Sequence, residues 1–292
     1  MRNNTGAILA IGLLVLAAAI LVITLVHHPA APSAQNPSLP IDPLNPPAVF
    51  SYTFDTPGIL YEAGSSGEST SPYWWVNSGG KLIIANHTGA TIEGSLAEDD
   101  PWRLLYAKNN PTDTDNGYHP QNIFRLVTKY EWTDYTEEAY FKIDANNLSA
   151  SPNRNQSNGI LLFNRYQDHN NLYYTGLRVD GNAVIKKKIN GTYYTMALNP
   201  LFPGTYGPSA SPNLLPLDTW IGLRTVLTSG ASGSVAIKFY IDVGDTGHWI
   251  LAAQATDNGT AFGGRPIAGP GFLGIRTDFM DVEFADFKVT RS

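Results

Sequence analysis

No cysteine occurs among the 292 residues, so neither a disulfide nor a thiolate-bound metal can brace the fold. Stability has to come from an apolar core, with a hard, oxygen-ligated cation as the other resource. Charge is scarce as well: 15% of residues, against roughly 25% in an ordinary globular chain. The balance is acidic, with a formal charge of −6. Nucleic-acid partners require a basic face to neutralise phosphates, and this composition argues against one. No convincing amphipathic helix is found in the chain. Between Arg2 and Lys81 there is no Lys or Arg at all.

That basic-free stretch contains the longest apolar run, residues 7–26, AILAIGLLVLAAAILVITLV. Twenty residues at about 1.5 Å each span about 30 Å, the thickness of a bilayer core. Arg2 on its N-terminal side places residues 1–6 in the cytoplasm and the remainder outside. The run therefore reads as a transmembrane signal-anchor helix, with the chain single-pass in the cell membrane. The alternative is a cleaved signal peptide at Ala31–Ser33, which would make the protein secreted. Residues 27–48 follow as a linker whose seven prolines favour a semi-rigid, extended spacer.

From residue 49 to 292 the chain changes character. Short runs rich in β-branched and aromatic residues are separated by Gly, Asn, Asp or Pro: VFSYTFD, NIFRLVTKYEW, EEAYFKID, SVAIKFYID and others. Many alternate. Val235, Ile237, Phe239 and Ile241 share one face of their run, with Lys238 and Tyr240 opposite. About a dozen antiparallel strands of this kind predict an all-β, two-sheet antiparallel jelly-roll sandwich.

One hairpin is especially clear. In AVIKKKINGTYYTMA (183–197), Asn190-Gly191 suits a type I′ turn, which requires positive φ at both central positions. Period two sends Lys186 and Lys188 to one face and Lys187 to the other, with Ile185 and Ile189. The plain reading is an edge hairpin guarded from aggregation by lysines; the functional reading has one lysine facing a ligand.

Gly79-Gly80-Lys81-Leu82, NGILLFNRYQDHNNLYYTGLRVDG (158–181), DTWIGLRTVL (218–227), VAIKFYIDVGDTGHW (235–249) and GFLGIRTDFMDVEFADFKV (271–289) resemble, in their order, the concanavalin A-like lectin/glucanase superfamily in its laminin-G-like form. The resemblance covers roughly residues 48–292 and is a pattern of strands and turns. It implies contact with a polysaccharide or glycoconjugate. It also implies a structural Ca²⁺ tying the first strand to the last, for which Asp55 and Asp286 are the metal candidates. Glucanases of the superfamily place catalytic acids as Glu-x-Asp-x-x-Glu. The nearest approach here, Asp281 and Glu283 on one strand face, does not complete that motif.

Lyases of the same fold use a Tyr or His base and an Arg neutraliser, because removing a proton beside a carboxylate requires its charge to be offset. Arg125, Lys129, His169, Tyr174 and Arg178 are the candidates for catalysis. Sugars also stack on aromatic rings while polar side chains take their hydroxyls; Arg165, Tyr174, Arg178, Tyr193 and Arg224 are the candidates for binding. Histidines show no metal-ligand spacing. Sequons at Asn86, Asn147, Asn155, Asn190 and Asn258 permit glycosylation. The reading that unites these features is a membrane-anchored, outward-facing carbohydrate-binding sandwich. A polysaccharide lyase or hydrolase on the same fold and a non-catalytic structural surface protein are the alternatives.

Overall fold

A computed structural model describes residues 42–292. The N-terminal segment, the proposed anchor at 7–26 and all of the linker before residue 42 lie outside the described residues. Among the described residues no helix is long and apolar enough to cross a membrane.

Among the described residues sixteen strands, numbered in chain order, form two sheets. The nine-stranded sheet runs β14 (Ile250–Asp257), β13 (Val235–Val243), β12 (Trp220–Ser229), β7 (Tyr135–Asn146), β16 (Met280–Arg291), β5 (Thr88–Ala90), β4 (Lys81–Ala85) and β2 (Gly58–Tyr61), with β1 (Val49–Tyr52) also paired to β16. The seven-stranded sheet runs β11 (Thr192–Pro200), β10 (Asn182–Ile189), β9 (Asn171–Arg178), β8 (Gly159–Asp168), β15 (Gly271–Thr277), β6 (Arg125–Trp132) and β3 (Trp74–Ser78). Pairing within both sheets is antiparallel. The all-β, two-sheet sandwich is thus the fold that the strand pattern and the family resemblance imply.

Alternation builds the core. Along β13, Val235, Ile237, Phe239 and Ile241 are buried while Lys238 is exposed. From the opposite sheet come Trp74, Leu126, Trp132, Ile160, Leu162 and Ile185. Phe50 of β1 holds the two layers together at one end, its ring 5.8–6.2 Å from those of Tyr73, Trp74, Trp132 and Phe287. Polar bolts cross the same interior: Thr175 and Thr225 hydroxyls meet at 2.5 Å, and Tyr135 Oη donates to Asn164 Oδ1 at 3.1 Å. Such pairs satisfy groups that would otherwise be costly to bury.

Two features depart from expectation. A nine-residue helix, α1 (Pro101–Asn109), interrupts the strands. Its apolar stripe is weak, but its start is conventional: Asp100 caps it by accepting from the Trp102 N–H at 2.7 Å, and Pro101 occupies the first turn, where no N–H is needed. The lysine hairpin forms as predicted, with Asn190 at φ 50° and Gly191 at φ 80°. Its edge strand, however, is β11; the lysines lie on β10, one strand in. They do not guard an edge, and Lys187 is wholly buried.

Candidate functional site

Strands β8 and β9 are buried on both faces over most of their length. Their inward residues belong to the core. Their outward residues, Leu161, Phe163, Tyr166, Leu172 and Tyr174, form a second apolar cluster with Val127 of β6 and Val184 of β10, and Trp75 and Phe272 pack against it. A sheet face this apolar is partly shielded by curvature. The side chains of Tyr193 and Arg276 come close enough to interact, although β11 and β15 stand four strands apart. At about 4.8 Å per strand, that separation is about 19 Å in a flat sheet, more than the two side chains can span. The seven-stranded sheet therefore curls toward this face.

At one end of the face lies a hollow of about 410 Å³. Register explains its walls. Arg276 of β15 stands opposite Arg125 of β6 on one side and Leu161 of β8 on the other; Leu161 in turn faces Gly176 of β9. At Gly176 strands β8 and β9 approach closely. A Cβ there would sit 2.3 Å from the Ile160 carbonyl oxygen. Next along β9, Tyr174 pairs with Lys186 of β10, and two residues further along β10 Lys188 pairs with Tyr193 of β11. The Tyr174 and Tyr193 rings meet edge-on, 6.1 Å between centroids at 74°. Lys186 Nζ lies 6.0 and 5.7 Å from those two rings, and Lys188 Nζ 4.7 Å from Tyr193. Asn153, Asn155, Ser157 and Asn158 supply a polar rim.

The charges here are unevenly matched. Arg276 is neutralised by Asp278, at 2.8 and 2.9 Å. Burial opposes its charge, but Asp278 outweighs burial and holds the guanidinium firmly protonated. Arg178, at the margin, pairs with Asp180 at 2.6 Å. Arg125 has no hydrogen-bond or ion-pair partner among the described residues; burial, then the neighbouring Arg276, pull its pKa down. Burial, then Arg178, do the same to Lys186. Burial pushes the Tyr174 phenol well up, so it stays protonated. Burial also opposes ionisation of Tyr193, yet Arg276 and Lys188 together bring its phenol below the ordinary range.

The hollow thus unites Arg125, Tyr174 and Tyr193 from the sequence candidates, with Arg178 beside it. The others stand elsewhere. Arg165 is completely buried. A β-bulge puts it at φ 45° and breaks the alternation that would aim it outward; its guanidinium donates instead to the carbonyls of Thr133 and Ile267 and to Ser229 Oγ. Lys129 Nζ donates to the Ser71 carbonyl. His169 lies exposed in the β8–β9 turn, its carbonyl accepting from Lys188 Nζ. Arg224 belongs to β12 of the other sheet, where it pairs with Glu138 at 3.1 Å and covers the Trp249 ring at 3.8 Å. Tyr194 shares the inward parity of Lys187, so of the hairpin's tyrosines only Tyr193 reaches the hollow. Sequence reading missed Arg276, for which alternation along IRTD carried the signal; it allowed one hairpin lysine a ligand-facing role, and Lys186 is the one that lines the hollow.

The acidic candidates are already engaged. Asp281 accepts from the Gly94 N–H at 2.7 Å, Gln121 Nε2 at 3.0 Å and Asn147 Nδ2 at 2.9 Å, while Glu283 pairs with Lys142 at 3.0 Å. Asn147 is buried by this network, which removes it as a glycosylation site, whereas Asn86, Asn155, Asn190 and Asn258 are exposed. Asp55 lies just past β1 rather than within it, bonded to Thr53 Oγ1 and to His87 Nδ1 at 2.8 Å. Asp286 sits at a bulge in β16, one residue beyond the last β1–β16 pair, Tyr52–Phe287.

No family model matches the sequence, and no curated protein matches it. Among solved structures, the chain is similar to the carbohydrate-binding module CBM66 from Bacillus subtilis, with 14% identity over 75% of this chain and 95% of that one, TM-score 0.45. It is similar to a Bacillus licheniformis beta-glucanase, with 11% identity over 84% and 98%, TM-score 0.44. It is also similar to the GH43 protein BlXynB from Bacillus licheniformis, with 10% identity over 83% of this chain and 39% of that one, TM-score 0.44.

Proposed function

We propose that the protein binds carbohydrate in the hollow on the outer face of the seven-stranded sheet. One observation carries this reading: two tyrosines meet edge-on beside Leu161, under a rim of amides and a hydroxyl. Aromatic rings offer the apolar faces of sugars a surface, and the rim offers their hydroxyls partners. A volume of about 410 Å³ accommodates a short saccharide segment. The membrane-anchored, outward-facing setting belongs to the same proposal and rests on residues 7–26 and the linker composition. The test is a glycan array probed with the purified chain and its Tyr193→Ala variant. Retention by the parent and loss in the variant is expected; no retention of any glycan by the parent ends the reading. Protease shaving of intact cells, followed by immunodetection, tests the orientation.

A catalytic reading has one observation in its favour. Tyr193, its phenol held low beside Arg276 and Lys188, has the character of a proton acceptor, and Tyr174 remains a proton donor. Incubation with uronic-acid polymers, monitored for the absorbance of an unsaturated product, distinguishes lyase from lectin. Absence of product with bound polymer removes the lyase. The hydrolase alternative loses its acid pair, since Asp281 and Glu283 are held by structural donors.

A further inference from the structure

We infer that the hollow selects acidic saccharides, with the anionic group of one sugar held between Arg125 and Lys186. The inference rests on the carbohydrate reading of the same hollow and names the class of sugar it takes.

The argument begins with which cations are satisfied. Arg276 has Asp278, Arg178 has Asp180, and Lys187 has Asp257. Lys188 donates to the His169 carbonyl. Arg125 and Lys186 differ. Both line the hollow and both are half-buried, yet neither makes a hydrogen bond or ion pair among the described residues. Lys186 meets only the rings of Tyr174 and Tyr193. The two carboxylates in the lining are committed elsewhere: Asp278 to Arg276, and Asp113 to the Ser151 hydroxyl at 2.6 Å and the Asn153 amide at 2.9 Å.

Partly desolvated cations without a hydrogen-bonded counter-charge are unfavourable, and here Asp278 acts on Arg125, and Asp180 on Lys186, only at a distance. A ligand that brings its own negative charge removes the penalty on binding. Arg125 also stands directly opposite Arg276 in the β6–β15 register, an arrangement of like charges that destabilises the empty site. A planar guanidinium matches a carboxylate or sulfate in bidentate fashion, and an ammonium adds a point charge beside it. Neutral sugars need neither. The chain's formal charge of −6 does not oppose this, because at physiological salt charges beyond about 8 Å are largely screened.

Calorimetric titration of the full chain with three oligosaccharides of matched length, one neutral, one uronate and one sulfated, tests the inference at low and high salt. At least one acidic oligomer is expected to bind about tenfold or more tighter than the neutral one, with the advantage shrinking as salt rises. Arg125→Gln and Lys186→Met are each expected to erase that preference without lowering thermal stability. Which acidic oligomer binds identifies carboxylate or sulfate as the group held. Equal affinity for neutral and acidic oligomers overturns the acidic selectivity and leaves the carbohydrate reading standing. No binding of any oligomer removes both. A preference that survives both substitutions overturns the assignment to these two residues.

Discussion

Lys187 Nζ lies 2.8 Å from Asp257 Oδ2, and both side chains are completely withdrawn from solvent. The pair ties β10 of one sheet to β14 of the other. Its remaining valences are filled: Lys187 donates to the carbonyls of Gly264 and Arg265 at 2.8 and 2.6 Å, and Asp257 accepts from Tyr173 Oη at 2.6 Å. Removing one partner strands the other. Lys187→Met is expected to cost about 3–5 kcal/mol, read by denaturant unfolding. The double variant Lys187→Met with Asp257→Asn should be clearly more stable than the sum of the two single changes implies. Strict additivity would deny the coupling.

Glu137 predicts a pH dependence of stability. Its side chain points into the sandwich, where Oε1 accepts from the Gly274 N–H at 3.2 Å and Oε2 has no partner among the described residues. Burial pushes its carboxyl well above the ordinary range. The folded chain therefore keeps a proton that the unfolded chain releases above about pH 4.3. The stability linked to that proton is complete below this value and is lost, at about 1.4 kcal/mol per pH unit, as pH rises toward the folded-state pKa. Glu137→Gln keeps the neutral form permanently, so its stability should decline less between mildly acidic and alkaline pH. Parallel stability curves for parent and variant would contradict this.

Tyr193 should be the tyrosine that ionises early. Burial resists its ionisation, but Arg276 and Lys188 prevail, so ultraviolet titration should show a tyrosinate step below the ordinary value of about 10. Tyr193→Phe should delete that step and Arg276→Gln should move it upward. A step unchanged in Tyr193→Phe belongs to another residue.

Glycine at position 176 is enforced by close approach of β8 and β9. Gly176→Ala places a methyl 2.3 Å from the Ile160 carbonyl oxygen and 2.6 Å from Leu161 Cδ2, and overpacking of this kind costs about 1–3 kcal/mol. An unchanged melting temperature would show that β8 and β9 can part without cost.

A calcium ion at Asp55 and Asp286 remains a proposal with its own measurement. The Thr53 hydroxyl, then His87, hold the Asp55 carboxyl below the usual range, which keeps it charged for a hard cation. Calcium at a hundredfold excess over Kd would add about 2.7 kcal/mol, so a chelator should lower the melting temperature and Asp286→Asn should abolish the response. Identical melting with and without chelator removes the ion.

Local chemistry made much of the sandwich legible. Asn190-Gly191 specified its turn, and alternation through KKK set Lys187 on the face opposite Lys186 and Lys188, which is the inward one. What alternation does not reveal is partnership across sheets. Asp257, which makes Lys187 tolerable in the core, is seventy residues away in the chain and in the other layer. The same limit misplaced Arg224, a regular outward residue of the wrong sheet. Arg165 failed for a different reason: a single left-handed residue at a bulge shifts the parity of everything around it. The hollow was half visible, through Arg125, Tyr174 and Tyr193, because their strands are regular. Arg276 and Lys186 became significant only when register brought β6, β15, β8, β9 and β10 side by side.

The order of strands also bears on how this sandwich is made. β15 fits between β8 and β6, and β16 between β7 and β5. An inner strand of each sheet is therefore supplied by the last two of the described strands. Until they arrive, each layer is split into two halves with open, hydrogen-bond-hungry margins, and the Arg276 wall of the hollow does not exist. Such long-range closure slows folding and prolongs exposure to intermolecular pairing. Each layer therefore closes only when a late strand slots between partners made much earlier in the chain, and its two halves must be kept from sticking to their neighbours until then.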